Sequence, residues 1–248
     1  MSAPPPLEQE ALRRACGRPV VLLPSCGSTN REAARLAQEG AEHGLVVITE
    51  RQTEGRGRQG RAWMSSEGQN LTFSLVLRPR LPTAQAPLIC LGAAVAIAEV
   101  TDLRIKWPND VLDDEGRKVC GVLAELVTVG PRLDAVILGV GLNVFQTAFP
   151  PELPNPGSLA LLGRRVDRAA LLGRIVQEIF TRAAELETNP GWVLEAWRQR
   201  SHTLGRRVRV GDLEGVAEDI RDDGALLIRT PRGLKPVLTG DVELVGRL

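Results

Sequence analysis

Residues 53–63, TEGRGRQGRAW, carry three arginines separated by glycines. Guanidinium groups bind phosphates and carboxylates through paired hydrogen bonds, and glycines let a backbone pass close to a ligand. This composition predicts a loop that binds an anionic ligand. A solvated loop without a ligand is the alternative for the segment taken by itself, because charged loops are common at protein surfaces.

Within this segment, residues 55–60 match the G-x-G-x-x-G spacing of dinucleotide-binding folds. Such a turn follows a strand, opens a helix and precedes an acidic residue by about 20 positions. The β-branched run at residues 45–50 predicts the strand, but the residues after the loop lead into a second strand. No Asp or Glu lies between Glu67 and Glu99. We therefore reject the dinucleotide-binding interpretation.

An Arg/Gly tract that binds nucleic acid is a further alternative. Such tracts are usually repeated within basic chains, whereas this one occurs once. The chain has 31 Lys and Arg against 30 Asp and Glu, a formal net charge of +1. This balance argues against a regulator that binds DNA or RNA through its charge.

Polar segments elsewhere in the chain accompany the Arg/Gly loop. Residues 28–30 (Ser-Thr-Asn) precede a predicted helix, and Gln52 precedes the loop. The sequence KWPND at residues 106–110 is followed by Gly-Arg-Lys at residues 116–118, and GVGLN ends at Asn143. Taken in this order, these segments resemble those of the biotin protein ligase family. The resemblance extends from the first predicted strand to the C-terminal residues.

The resemblance implies a role for each of these polar residues. The positions that match biotin-binding segments are Ser28, Thr29, Asn30, Gln52, Arg56, Gly57, Arg58 and Lys118. The positions that match ATP-binding segments are Arg58, Arg61, Trp63, Asn109 and Asn143. The implied catalytic residues are Lys118, Arg58 and Asp110, with the exact roles of Lys118 and Asp110 left open. No dedicated metal site is expected, and Mg²⁺ is expected to arrive with ATP.

The implied activity is an ATP-dependent ligation. The enzyme forms biotinyl-5'-AMP from biotin and ATP, and then transfers biotin to a lysine of the biotin carboxyl carrier protein of acetyl-CoA carboxylase. A lipoate–protein ligase, which shares the fold and the adenylation chemistry, is the nearest alternative. Many members carry an N-terminal DNA-binding domain, and the residues before position 20 leave no room for one. We expect neither a DNA nor a membrane partner, and either a monomer or a homodimer.

Composition favours a cytoplasmic enzyme. The opening residues lack the apolar core of a signal peptide, and the most apolar stretch, residues 86–100, is shorter than the about 20 residues of a membrane span. The four cysteines, Cys16, Cys26, Cys90 and Cys120, contain no C-x-x-C spacing. They are expected to be reduced thiols rather than zinc ligands, although pairing stays possible in principle.

The predicted fold class is α+β, a mixed β-sheet catalytic domain with packed helices (biotin/lipoate ligase-like) followed by a small SH3-like β-barrel. Its predicted division is an N-terminal arm (1–19), a catalytic domain (20–203) and the C-terminal domain (204–248). Alternating and β-branched runs predict catalytic strands at residues 20–23, 45–50, 71–79, 104–107, 118–127 and 135–144. The strand at residues 71–79 is expected to be half-buried, because its polar and apolar residues alternate. Helices are predicted over residues 31–40, 84–100, from Asp167 onward, and 191–200. Turns are predicted at residues 24–27 and 108–117.

Overall fold

The computed structural model of the protein describes residues 4–130 and 132–245. Within them, seven strands form one mixed sheet in the order β1-β2-β3-β7-β6-β5-β4. The strands are β1 Val20–Cys26, β2 Val46–Gln52, β3 Leu71–Leu77, β4 Arg104–Lys106, β5 Asp110–Leu112, β6 Lys118–Val129 and β7 Arg132–Leu142. Strands β1 and β2 pair in parallel and the other neighbours pair antiparallel. The predicted mixed sheet is confirmed.

Helices cover both faces of this sheet. They are α1 Gln9–Cys16, α2 Thr29–Gln38, α3 Pro87–Thr101, α4 Arg168–Thr188 and α5 Pro190–Arg200. Helix α2 packs Ala33 and Ala37 on one face, against residues of β2, β3 and β7. On the other face, α3 packs against β6 and is backed by α4 and α5. Asp167 caps α4 as predicted, since its carboxylate accepts the backbone N–H of Ala170 at 2.7 Å.

Three local predictions are wrong, each because of the position of the segment in the sheet. Strand β3 was expected to be half-buried, yet every residue in it is buried because helices cover both faces. Strand β1 continues through Pro24 into the predicted turn, because β1 is an edge strand and loses little by lacking that N–H. The predicted turn at residues 108–117 contains the short strand β5, which pairs with both β4 and β6.

The apolar helix α3, predicted over residues 84–100, begins at Pro87 and ends at Thr101. Together with the preceding 3₁₀ turn, residues Thr83–Thr101 have the length and hydropathy of a membrane span. In the structure, 61% of this segment is buried. Its packing against α4, α5 and β6 accounts for its apolar character, as expected of the central helix of a core.

A second, antiparallel sheet follows α5, in the order β11-β10-β9-β8-β12. Its strands are β8 Arg207–Val210, β9 Leu213–Ile220, β10 Leu226–Thr230, β11 Gly233–Val237 and β12 Glu243–Leu244. The fully buried indole of Trp107 donates to the Gly224 carbonyl at 3.0 Å, and its backbone N–H donates to Thr203 Oγ1 at 2.9 Å. These bonds fix the C-terminal sheet, the expected SH3-like domain, to the catalytic sheet.

A buried ion pair fastens the N-terminal residues to the core. Arg168, with a side chain only 3% exposed, donates to both carboxylate oxygens of Glu50 at 2.6 and 2.9 Å. The same guanidinium donates to the Pro5 carbonyl at 2.7 Å, and Glu50 accepts the Leu7 N–H at 2.7 Å. Helix α4, strand β2 and the N-terminal segment therefore meet at one pair of charges.

We predict that Arg168→Met destabilises the fold, because it leaves the Glu50 carboxylate buried without its partner. Breaking such a pair typically lowers the free energy of unfolding by about 3–5 kcal/mol. Urea denaturation measures the change, with Arg13→Met, at a half-exposed arginine of α1, as the control. Equal and small losses in both variants would contradict the anchoring role of Arg168.

Candidate active site

A cavity of about 180 Å³ lies over the centre of the large sheet. It is bounded by the start of α2, the end of β2, the Arg/Gly loop, the start of β6, the end of β7 and residues 149–156. Among the residues predicted for the site, those that line it are Ser28, Thr29, Asn30, Gln52, Arg56, Gly57, Arg58, Arg61, Trp63, Asn109, Lys118 and Asn143. Asp110 lies directly behind Lys118. The structure thus brings all of the predicted site residues together.

Buried polar groups at the start of α2 form one wall of the cavity. Ser28 is the N-cap residue, and within the described chain its side chain makes no capping hydrogen bond. The Gln52 side-chain oxygen instead accepts the Thr29 backbone N–H at 2.8 Å. Ser28 and Thr29 are each 3% exposed. Ser28, which makes no such capping bond, lines the cavity.

Two residues that the sequence motifs did not single out orient Asn30. The fully buried Ser74 hydroxyl donates to Asn30 Oδ1 at 2.6 Å and lies 2.8 Å from Thr29 Oγ1. Glu125 accepts the Asn30 amide at 2.6 Å and lies 3.9 Å from the Arg56 guanidinium. Strand β3 carries two hydroxyls, Thr72 and Ser74, and a buried hydroxyl requires a hydrogen-bond partner, but the sequence alone did not indicate which partner.

The Arg/Gly loop folds back on itself as a compact hairpin. The Gly57 N–H donates to the Arg61 carbonyl at 2.7 Å, and the Trp63 N–H donates to the Gly55 carbonyl at 2.9 Å. A Cβ at Gly55 would lie 2.2 Å from the Trp63 carbonyl oxygen, so this position requires glycine. A single 3₁₀ turn at Arg58–Gly60 replaces the long helix of a dinucleotide fold. The rejection of that fold is confirmed.

The indole of Trp63 holds the loop against the sheet. It packs on the bare backbones of Gly121 in β6 and Gly141 in β7, where a Cβ at Gly141 would lie 2.2 Å from its Cε2 atom. The buried indole N–H has no hydrogen-bond partner among the described residues. A buried donor without a partner carries a desolvation cost that a ligand acceptor can remove. Trp63 therefore has both a structural role and a free donor, while Trp107 belongs to the core.

A lysine–aspartate pair stands at the start of β6. The ammonium of Lys118 lies 2.6 Å from Asp110 Oδ1, and that of Lys106 lies 3.9 Å from Asp110 Oδ2. Asp110 is placed by β5, which pairs with β6 in antiparallel register. The carboxylate thereby holds Lys118 at the cavity wall, 5.8 Å from the centre of the Trp63 ring.

Two arginines of the loop reach the C-terminal domain. Arg58 donates to Asn109 Oδ1 and to the Gly240 carbonyl, each at 3.3 Å, and Arg61 pairs with the Asp241 carboxylate at 2.9 Å. The Asn109 amide is itself fixed by the Val122 carbonyl at 2.6 Å. The sequence motifs gave no indication of the contacts made by residues 240–241.

Asn143 closes the far side of the cavity at the end of β7. Its amide donates to the Gly157 carbonyl at 2.9 Å, which fixes the side chain. Its Oδ1 atom is buried and has no donor within the described part of the chain. Trp63 and Asn143 both line the cavity, and each carries one buried polar atom without a partner among the described residues.

All four cysteines lie in described positions and are free thiols, as expected. Burial raises the pKa of the Cys90 thiol to about 12 and that of Cys16 to about 11. Burial also raises the pKa of Cys120, which adjoins the cavity-lining Gly121. These thiols stay protonated at neutral pH, so they supply neither a nucleophile nor a metal ligand to the site.

Comparisons with known proteins agree with this architecture. Residues 22–143 match the Biotin/lipoate A/B protein ligase family, and residues 203–245 match the Biotin protein ligase C terminal domain. The Bifunctional ligase/repressor BirA of Bacillus spizizenii is 35% identical over 232 residues, covering 88% of this chain and 71% of that protein. The biotin–[acetyl-CoA-carboxylase] ligase of Mycobacterium tuberculosis is 33% identical over 263 residues, covering 96% of each chain.

Solved structures show the same fold. The biotin protein ligase from Aquifex aeolicus, in complex with biotin and ATP, superposes with a TM-score of 0.77 at 32% identity. The match covers 91% of this chain and 98% of that chain. A mixed sheet carrying this cavity and followed by a small antiparallel domain defines the class of biotin and lipoate ligases. Within that class, the chain belongs to the biotin protein ligase family. The lipoate alternative is not favoured, because the named relatives are biotin ligases.

We predict that Gly141→Ala displaces Trp63 and loosens the loop, because the added methyl would overlap the indole. The fluorescence of Trp63 is obtained by subtracting the spectrum of the matching Trp63→Phe variant from that of each protein. We expect the emission maximum of Trp63 to move to longer wavelength in Gly141→Ala, because the indole becomes more exposed to water. Gly27→Ala is the control, since its added methyl meets its nearest atoms at an ordinary 3.6 Å. An unchanged Trp63 emission in Gly141→Ala would contradict the packing described here.

Proposed function

We propose that this chain joins biotin to ATP as biotinyl-5'-AMP and then passes biotin to a lysine of the biotin carboxyl carrier protein of acetyl-CoA carboxylase. The observation that carries the proposal is the convergence of three arginines and a lysine on a cavity walled by buried amides and hydroxyls. Biotin contributes a carboxylate and ATP contributes its phosphates, and the arginines and the lysine can neutralise both groups.

The polar wall suits the head group of biotin. A ureido ring presents two N–H donors and one carbonyl acceptor, which require fixed polar partners when they are buried. Thr29, Asn30 and Gln52 offer such partners, and Ser28 adds a hydroxyl. Arg56 and the Gly57 backbone bound the same region, and Lys118 lies where a carboxylate on the acyl chain can meet its ammonium.

The opposite side of the cavity suits ATP. Arg58 and Arg61 supply guanidinium groups for phosphate oxygens, and Asn109 positions Arg58. The Trp63 indole and the Asn143 side chain line this side of the cavity, where they can contact the adenine base. Aromatic and amide groups that converge in this way provide both stacking and orientation for a base.

The first step brings a carboxylate oxygen to the α-phosphorus of ATP, forms the new P–O bond and releases pyrophosphate. Two anions must approach each other, and charge builds on the phosphate oxygens in the transition state. In this proposal Lys118 and Arg58 neutralise that charge, and the contact between Asp110 and Lys118 supports a role of Asp110 in orienting the ammonium group. These three residues are therefore our proposed catalytic group, in which Asp110 acts through Lys118.

Mg²⁺ belongs to this scheme as part of the ATP substrate. Residues 4–130 and 132–245 contain no cluster of three or more His, Cys, Asp or Glu side chains able to hold a metal ion. Mg²⁺ that is bound mainly by phosphate oxygens and water needs few protein ligands.

In the second step, the amine of the carrier lysine attacks the acyl carbon, AMP leaves and the amine loses a proton. The mixed anhydride is labile to water, so the loop held down by Trp63 also serves as a cover. The four free cysteines support a reducing compartment, and we place the reaction in the cytoplasm.

The direct test is biotin-dependent exchange between ATP and labelled pyrophosphate. We predict that Lys118→Ala and Arg58→Ala each lower this exchange by at least about 100-fold, since one electrostatic donor to a transition state is typically worth about 10²–10³ in rate. Lys235→Ala, at an exposed strand of the C-terminal sheet, is the control. Circular dichroism should show the folded state in all three variants.

Two results would overturn the proposal. Exchange at the wild-type rate in Lys118→Ala and Arg58→Ala would refute the site. Exchange that depends on lipoate and not on biotin would refute the substrate.

Ser74 supplies a separate prediction about biotin. Ser74→Ala removes the donor that orients Asn30, and loss of a buried hydrogen-bond partner costs about 1–3 kcal/mol. We expect KM for biotin to rise at least about fivefold, since 1.4 kcal/mol corresponds to tenfold, while KM for ATP stays near its original value. Ser25→Ala, at an exposed position of β1, is the control. A change in KM for ATP of equal size would contradict this assignment.

A further inference from the structure

The segment Gly240–Asp241, which lies between β11 and β12 of the C-terminal domain, contacts the two arginines that we assign to ATP. Arg61 pairs with the Asp241 carboxylate at 2.9 Å, and Arg58 lies 3.9 Å from the same carboxylate. Arg58 also donates to the Gly240 carbonyl at 3.3 Å. We propose that Asp241 is a positioning residue that holds the phosphate-binding arginines in the nucleotide-free protein and that ATP must displace. This inference rests on the function proposed above.

The Gly240–Asp241 segment is held more firmly than the Arg/Gly loop that it contacts. Gly240 has a φ of +136°, and a Cβ there would lie 2.5 Å from Val210 Cγ1, so its conformation requires glycine. Val242, which follows Asp241, is 2% exposed and anchors the segment in the core of the C-terminal domain. The hydrogen bond from Trp107 to Gly224 ties that domain to the catalytic sheet. Asp241 is therefore a fixed anion, and the loop is the partner that can leave it.

The charge balance makes ATP a competitor of Asp241. One carboxylate lies within 4 Å of two guanidinium groups, which would otherwise repel each other across the loop. A triphosphate carries more negative charge than a carboxylate and accepts more hydrogen bonds, so it can take both arginines. Binding of ATP then includes the cost of breaking the existing pairs. The side chains are 20% exposed for Arg58, 59% for Arg61 and 36% for Asp241, so this cost is modest.

The kinetic test compares Asp241→Asn with the wild-type protein in the exchange assay. Exposed ion pairs of this kind change equilibria by up to about fivefold, so we expect apparent KM for ATP to fall about two- to fivefold. KM for biotin should not change, and Asp241→Glu should restore the wild-type KM for ATP. Glu243→Gln removes one charge from the same domain at a 71% exposed side chain that pairs with Arg209, and serves as the control. An unchanged or raised KM for ATP in Asp241→Asn overturns the proposal.

Limited trypsinolysis gives a readout that does not depend on activity. Without nucleotide, cleavage after Arg58 and Arg61 should be about two- to fivefold faster in Asp241→Asn than in the wild-type protein, because the loop opens more often. Glu243→Gln should be cleaved at the wild-type rate. Equal cleavage of Asp241→Asn and wild type overturns the contact. If the wild-type protein shows no biotin-dependent ATP–pyrophosphate exchange, the proposed function fails. The difference in trypsin cleavage between Asp241→Asn and the wild-type protein still decides whether Asp241 holds the loop.

Discussion

Positive charge concentrated around one small cavity is the constraint on which the site depends. Arg56, Arg58, Arg61 and Lys118 all line a space of about 180 Å³. Positive charges that line one small cavity repel one another, and the repulsion is stronger where water is partly excluded. Carboxylates from three different regions counter this repulsion. Their shortest contacts with these four cations are Asp110 with Lys118 at 2.6 Å, Glu125 with Arg56 at 3.9 Å and Asp241 with Arg61 at 2.9 Å.

The fold supplies these carboxylates from rigid elements, while most of the cations come from a loop. Asp110 and Glu125 lie on strands of the large sheet, and Asp241 lies between two strands of the C-terminal sheet. Trp63 seats the loop on the bare backbones of Gly121 and Gly141. The loop therefore closes on a surface that is already shaped. Such preorganisation is what electrostatic catalysis needs, because the charges do not have to reorganise during the reaction.

Most of the elements could be predicted because their sequence patterns are local. The 3.6-residue period of α4 and the β-branched runs of β2 and β7 carry their structure in neighbouring residues. The errors arose where the tertiary position decides the outcome. The burial of β3 depends on helices from distant parts of the chain, and the continuation of β1 through Pro24 depends on its place at the sheet edge.

The site shows the same division between local and distant information. Motif residues such as Lys118 and Asn30 could be found from their spacing and from the family resemblance. Ser74 and Glu125 could not, since their importance comes from hydrogen bonds across 44 and 95 residues of sequence. Asp241 contacts Arg61 across 180 residues. No sequence pattern links Asp241 to Arg61, because their contact forms only when the C-terminal domain packs against the catalytic domain.

The central claim is that one set of cations serves both the acid and the nucleotide. A crystal structure with a non-hydrolysable biotinyl-adenylate analogue measures this most directly. The account predicts the acyl–phosphate linkage within hydrogen-bonding distance of both Lys118 Nζ and the Arg58 guanidinium, with the ureido ring between Thr29 and Asn30. An analogue bound with its linkage away from Lys118 and Arg58, or with its ureido ring outside the polar wall, would contradict the account.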